Sequence, residues 1–485
     1  MAEPVSVSSS LAGSLSIACA TCHREHHGAN FNLAAMNDQA CQTCHQQKYE
    51  SFASDHPDFA NWPYEERTPI AFDHSSHQVK HFRDKNQSFE CRRCHVEDRS
   101  QSVQLLVNYK NACATCHDEK IATSLAPGIA LIALPTLDTA ALRAAGRDIG
   151  PWPQAATGDF DGRLPPMMKL LLSADPPAAK AMARLGVDFD FFDVDVTHRE
   201  ELAACADLAA SIKRLLSELG KFGPAALRAR FDVLLGRKIS DEELRSALSG
   251  LSADTLVPAG REWLGRGANK TEQSSSTSVS TAGTWWRDDA KLTIRYQPTG
   301  HADQILTVWL TLLADIAESD SQPVARSVLK EMAKPTAPGL CASCHGVAQS
   351  AAGQLTVHWQ PSDRTKSPRP FTKFSHRPHV LLPELTDCTA CHTVDEKKGA
   401  SKPYALGDAA AFVSDFRPMT KQSCATCHSA KAAGDNCQKC HNYHVGVESL
   451  GLSVEGLRAK LSNTQPSTSS AQPSKTSSDI RPVRR

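Results

Sequence analysis

The chain has 485 residues, of which 41% are hydrophobic and 22% charged, with 53 Lys and Arg against 53 Asp and Glu. That length allows two to four domains, and the even charge balance offers no basic excess for nucleic acid. No stretch reaches the ~18 apolar residues of a membrane span, and the opening MAEPVSVSSSLAGSLSIACATCH has neither the charged nor the apolar region of an export leader.

Residues 19–117 carry four copies of Cys-x-x-Cys-His: Cys19/Cys22/His23, Cys41/Cys44/His45, Cys91/Cys94/His95 and Cys113/Cys116/His117. Cys19 to Cys41 and Cys91 to Cys113 are both 22 positions apart, so the stretch reads as a duplicated two-motif unit. Residues 341–441 carry four more: Cys341/Cys344/His345, Cys388/Cys391/His392, Cys424/Cys427/His428 and Cys437/Cys440/His441. This signature is the attachment site of c-type haem (heme c). Two thiols at this spacing reach the two vinyl groups on one edge of a porphyrin, and the histidine that follows ligates the iron. Eight copies imply eight covalent haems, and 16 of the 17 cysteines are used in them. No cysteine pairs remain for a disulfide framework. The propionates of eight haems would add on the order of −8 to −16 charges and make the loaded protein acidic.

Between the two groups lies a motif-free stretch. GRDIGPWPQAATGDFDGRLPP, 146–166, is broken by Gly and Pro and reads as irregular. Thr197 to Glu200 has the form of a capping box opening a helix that Gly220 would stop, and Ser240 to Glu243 has the same form. Leu202, Cys205, Leu208, Ile212 and Leu215 recur at helical spacing, which makes Cys205 a buried apolar filler. The acidic run DFDFFDVD, 188–195, lacks the spacing and Gly of a calcium loop and reads as a solvated loop with Phe turned inward. TEQSSSTSVSTAG, 271–283, reads as a flexible loop, KLTIRY as a strand, and QILTVWLTLLADIAES as an apolar helix. The expected organisation is an N-terminal tetrahaem module over 1–120, a haem-free and mostly helical insert over 121–335, a C-terminal tetrahaem module over 336–461, and a disordered tail over 462–485. The fold class is therefore mainly α with much irregular structure. With roughly 25 residues per haem, the porphyrins must form most of the core of each module. The two modules could stand apart or close on each other.

Each motif histidine supplies one axial ligand, and the other axial position separates electron relay from chemistry. FDHSSH, 72–77, and FSHRPH, 374–379, precede motifs in both halves. They resemble the F-x-H-x-x-H element of class III tetrahaem cytochromes, and the paired motifs resemble doubled-CxxCH cytochrome domains. The resemblance covers about 45 residues in each half. It implies that His74 ligates the haem on Cys91/Cys94 and His376 the haem on Cys388/Cys391. His77 and His379 would each reach a different haem. Residues three apart on a helix share a face yet diverge enough to touch two porphyrins. His26 and His444, three residues after a motif histidine, are further candidates, as are His56 and His301. His27, His81, His198 and His358 read instead as exposed or hydrogen-bonded.

The expected function is electron transfer outside the cytoplasm, since thioether attachment of haem is an extracytoplasmic process in the families resembled. A leader or anchor missing from the sequence is expected, and membrane association only through it. Redox partner proteins follow, a membrane quinol-linked or other cytochrome complex among them. The alternative is a multihaem oxidoreductase acting on a small nitrogen or sulfur species at one open haem, with Tyr296, His301 or an Arg of the insert in its site. That class resembles the octahaem hydroxylamine-oxidising and nitrite-reducing enzymes, but no CxxCK variant is present. A zinc protein is a third reading, although zinc ribbons have no need of a histidine after every second cysteine.

Overall fold

The computed structural model describes residues 36–42, 45, 48–64, 68–153, 162–264, 281–319, 322–349, 353–361, 371–397 and 414–442. The chain divides into two compact units, each discontinuous in sequence. One gathers residues 1–58, 365–375 and 420–485, the other 59–364 and 376–419. Each unit thus draws on segments from both motif groups.

The larger unit holds the hydrophobic core, a continuous cluster running from Leu125 to Met332. Its longest helix, Arg199–Phe222, packs against the helices Pro176–Leu185 and Ala253–Glu262. Leu202, Cys205, Leu208, Ile212 and Leu215 all lie buried on its inner face, and burial pushes the Cys205 thiol up to about 12. The helix begins at Arg199, with His198 as N-cap and no side-chain cap. Thr197 does not cap it, because its N–H and hydroxyl both donate to Asp195 Oδ1. Nor does Gly220 end it. Gly223, at φ 58°, is the C-cap, and Gly220 serves a close helix crossing instead. A Cβ on Gly260 would stand 2.4 Å from the Leu216 carbonyl oxygen and 2.7 Å from Gly220 Cα, so only glycine fits there.

Strands β1 (His95–Glu97) and β2 (Gln104–Leu106) form a small antiparallel pair. A three-stranded antiparallel sheet has the order β3 (Ile129–Ala133), β5 (Thr293–Tyr296), β4 (Trp285–Asp288). Strands β6 (Val347–Gln349) and β7 (Leu355–Val357) form a second pair. The apolar helix Gln304–Ala317 follows the sheet. In the acidic run, Phe191 is buried while Phe192 is 57% exposed, and Asp190 pairs with Arg163 at 3.1 Å. The loop expected at 271–283 and the tail from 462 lie outside the described residues, apart from 281–283.

Among the described residues, the motif-bearing segments have almost no hydrophobic core of their own. Phe52 is the one large hydrophobic side chain buried before Leu125. After Met332 the buried hydrophobic residues are Ala337, Ala342, Val347, Val357, Met419 and Ala425. Such short, irregular segments cannot be held by so little apolar burial.

Ser240 and Glu243 form the full capping box of helix Asp241–Ala247. Arg237 bonds Glu243 at 2.7 Å and Asp315 at 2.9 Å. Hydrogen bonding from Arg237, then from Ser240, holds the Glu243 carboxyl down at about 2, against 4.5 ordinarily. A depressed acid contributes stability that is complete above its unfolded pKa and is lost as pH falls through the folded one. Glu243→Gln is therefore expected to destabilise by about 1 kcal/mol at pH 7, allowing for solvent screening. Denaturant titrations should show that difference shrinking from pH 4.5 downwards and gone near pH 2.

Candidate cofactor sites

Each described motif is one tight turn. The N–H of the motif histidine donates to the carbonyl of the first cysteine at 3.0 Å for His117, 2.9 Å for His345 and His392, 2.8 Å for His428 and 2.9 Å for His441. His45 does the same to Cys41 at 3.0 Å. The turn at Cys91 is closed by Cys94 N–H at 3.2 Å, after which His95 enters β1. Both thiols and the imidazole thereby leave a single turn of backbone. The first motif, with Cys19, Cys22 and His23, lies outside the described residues, as do Cys44, His26 and His444.

In three of the described motifs the two cysteines are not equally sheltered. Cys116 and Cys427 are exposed, as is Cys344, whereas Cys113, Cys424 and Cys341, the first cysteines of the same motifs, are partly buried. Cys116 lies in the first turn of the helix Ala114–Leu125, and Cys427 lies just beyond the helix Lys421–Ala425. Their neighbours Thr115 and Thr426 are exposed as well. The physical reason is the scarcity of apolar side chains in these segments: Ala425 is the one buried hydrophobic residue near Cys427, and none lies beside Cys116 before Leu125. The chain itself therefore does not enclose Cys116 or Cys427, and the spacing within the turn is what qualifies them for thioether attachment.

The histidines come together in a repeated arrangement. In the larger unit His74 faces His95 with ring centroids 6.3 Å apart, His77 faces His117 at 6.3 Å, His301 faces His345 at 6.1 Å and His376 faces His392 at 6.2 Å. In the smaller unit His56 faces His441 at 6.1 Å. Each pair joins one motif histidine to one histidine from elsewhere, with the ring planes 16° to 39° apart. Rings that touch face to face are far closer, as Tyr109 and His301 are at 3.5 Å and 3°. An imidazole nitrogen binds a first-row metal at about 2.0 Å, with the ring centroid about 1.1 Å beyond it, so two rings ligating one iron from opposite sides have centroids about 6.2 Å apart. The pairs fit a bis-histidine haem. Burial is the first cause that pushes His77, His117, His301, His345, His392 and His441 below the ordinary imidazole range, which favours the neutral ring a metal needs.

At seven of the ten paired rings a contact of Nδ1 is also in place. Nδ1 meets a backbone carbonyl oxygen at His56 (2.7 Å), His77 (2.6 Å), His345 (3.0 Å), His376 (3.4 Å), His428 (3.0 Å) and His441 (3.2 Å). A carbonyl can only accept, so each such ring carries its proton on Nδ1 and leaves the Nε2 lone pair available to a metal. His392 Nδ1 meets the Tyr64 hydroxyl instead. His74 Nδ1 stands 3.3 Å from Asp415 Oδ2. That is an ion-pair distance, yet the ring N–H points off the line of a hydrogen bond. Burial works to raise the Asp415 carboxyl, but the His74 ring and the His74 and Ser75 N–H groups outweigh it and hold the group low.

Several elements bring these rings into place. Asp73 caps the turn His74–Ser76 by accepting from Ser76 N–H, and the helical path continues through His77–His81, so His74 and His77 leave it three residues, about one turn, apart. The preceding segment is tied to the fifth motif, since Ala71 N–H donates to Cys344 at 2.8 Å and Gly346 N–H to Pro69 at 2.8 Å. His376 N–H donates to Ser102 at 3.1 Å, which anchors the FSHRPH element on the loop before β2. The two motif groups therefore close on each other within the larger unit. In the smaller unit Cys437 N–H donates to Asp38 and Lys421 to the His56 carbonyl, at 2.9 and 2.7 Å.

His301 comes from the insert. It sits between Gly300 at φ 126° and Ala302 at φ 63°, a left-handed conformation that costs a non-glycine residue about 1 kcal/mol. Buried Asp303 pins this loop, accepting from the Thr299 N–H, the Thr299 hydroxyl and the Tyr296 hydroxyl. Tyr296 is thus engaged in support rather than free for chemistry. His379 is partly exposed in the short helix Arg377–Val380. His81 is exposed beside His77, His358 supplies the carbonyl for His345, and His198 lies 3.4 Å from Glu201.

Among the described residues, no three His, Cys, Asp or Glu side chains group so as to hold a metal ion, and no helix is long and apolar enough to cross a membrane. Comparison with protein-family models, with curated proteins and with solved structures finds no match.

Proposed function

We propose that the chain is an extracytoplasmic octahaem c-type cytochrome, carrying electrons through covalently bound and mostly bis-histidine haems. The observation that carries this reading is the set of five histidine pairs at 6.1–6.3 Å, each with one member from a Cys-x-x-Cys-His turn. A haem ligated by two imidazoles supplies a one-electron couple with little change of shape. In each described pair the second histidine takes the position that a substrate would need. This favours relay over the alternative, a multihaem oxidoreductase. Haem would also supply the apolar bulk that the motif segments lack.

The larger unit further supports a single series of four sites. Tyr109 stacks on His301 and its hydroxyl donates to Asp118, next to His117, at 2.7 Å, which joins the His301/His345 and His77/His117 sites. Phe72 lies 4.0 Å from His77 and 4.7 Å from His74, between the second site and the His74/His95 site. Phe416 lies 4.6 Å from His74 and 6.2 Å from His392, between that site and His376/His392. The sites thus follow the order of motifs five, four, three and six. Redox partner proteins would exchange electrons with such a series at its ends.

Thiol counting tests the attachment. Denatured protein is expected to show one reactive thiol, Cys205, and the alkaline pyridine spectrum to give eight haems per chain. Seventeen thiols after denaturation with a chelator would contradict the proposal and favour zinc.

His74→Met and His77→Met test the pairing in the haem-loaded protein. Each is expected to convert a different low-spin component in the electron paramagnetic resonance spectrum, the first that of the Cys91/Cys94 haem and the second that of the Cys113/Cys116 haem. Loss of the same component in both variants would contradict it.

A further inference from the structure

Among the described Nδ1 contacts of the paired histidines, the partner is a carboxylate at His74 alone. Asp415 is 4% exposed, and its Oδ2 accepts from the backbone N–H of His74 at 2.5 Å and of Ser75 at 3.4 Å. The same oxygen lies 3.3 Å from the His74 ring. Two short ties hold this loop in place. Asp395 N–H donates to the Asp415 carbonyl at 2.7 Å, and Val394 bridges to Phe416. The carboxylate is therefore fixed, shielded from water and aimed at the far side of one axial ligand.

We propose that Asp415 is a positioning residue that lowers the reduction potential of the haem held by His74 and His95. The inference rests on the haem reading above. A buried negative charge behind an axial imidazole raises the basicity of that ligand and stabilises ferric over ferrous iron. Carbonyl partners at the other pairs exert a weaker pull, and the Tyr64 hydroxyl at His392 carries no charge. The third member of the four-site series would then be a low-potential step, which electrons cross rather than rest on. The ring–carboxylate contact is off-line for a hydrogen bond, so the effect acts chiefly through charge.

The test is a potentiometric titration of the full haem-loaded chain, followed by electron paramagnetic resonance, for wild type, Asp415→Asn, Asp415→Glu and Tyr64→Phe. Asp415→Asn keeps an oxygen for the backbone N–H groups but removes the charge. It is expected to raise the ferrous-to-ferric ratio of one haem about tenfold at a fixed solution potential, which is about 59 mV for a one-electron couple. The component affected should be the one that His74→Met converts. Asp415→Glu should recover most of the wild-type value, and Tyr64→Phe should leave that haem unmoved. Unchanged potentials in Asp415→Asn would overturn the inference. Loss of the His74 low-spin signal in both Asp415 variants would also overturn it, leaving Asp415 a structural anchor only. A wild-type chain without haem would instead contradict the reading on which the inference rests.

Discussion

An imidazole can hold a haem iron only from a fixed distance, and two imidazoles on one iron must keep their centroids about 6.2 Å apart. On the proposed reading, that constraint governs the motif-bearing parts of this chain. Five pairs meet it within 0.1 Å on either side. Their rings are separated too widely for contact, so no attraction between the rings themselves sets the distance. Carbonyl, hydroxyl and carboxylate groups behind the rings do, together with the turns that place the motif histidines.

Two kinds of interior follow. From Leu125 to Met332 the chain builds an ordinary hydrophobic core of helices and a small sheet. Elsewhere the described segments are short turns, short helices, the helix Ala114–Leu125 and two-stranded pairs, with few buried apolar residues. They are tied by backbone hydrogen bonds between segments far apart in sequence, such as Ala71 to Cys344 and His376 to Ser102. The hydrophobic region is more than a spacer, since it delivers His301 through a loop pinned by Asp303. A stable apolar body thus presents one of the paired histidines rigidly to a region with little apolar interior of its own, which haem would fill on the proposed reading.

Local patterns made part of this legible in the sequence. The motif turns, the helical face through Cys205 and the Ser240 capping box are all set by residues within a few positions of one another. His74 and His77 were readable for the same reason, and the structure sets their rings beside His95 and His117. The exposure of Cys116 and Cys427 was not readable, because the motif spacing says nothing of what packs around each thiol. Thr197 was misleading because Asp195, two residues earlier, captures its donors. Gly220 was misleading because a helix crossing, which no local pattern shows, requires glycine as much as a helix end does. Asp415 and Tyr64 had no signal at all, since they meet His74 and His392 across 341 and 328 positions of chain. Whether the two motif groups meet was left open by the sequence for the same reason.

The most direct measurement is anomalous diffraction at the iron edge from crystals of the haem-loaded protein. The account predicts an iron peak between the rings of each pair His74/His95, His77/His117, His301/His345, His376/His392 and His56/His441, about 2 Å from both Nε2 atoms. Iron bonded to the motif histidine alone, with the second ring turned away, would contradict it.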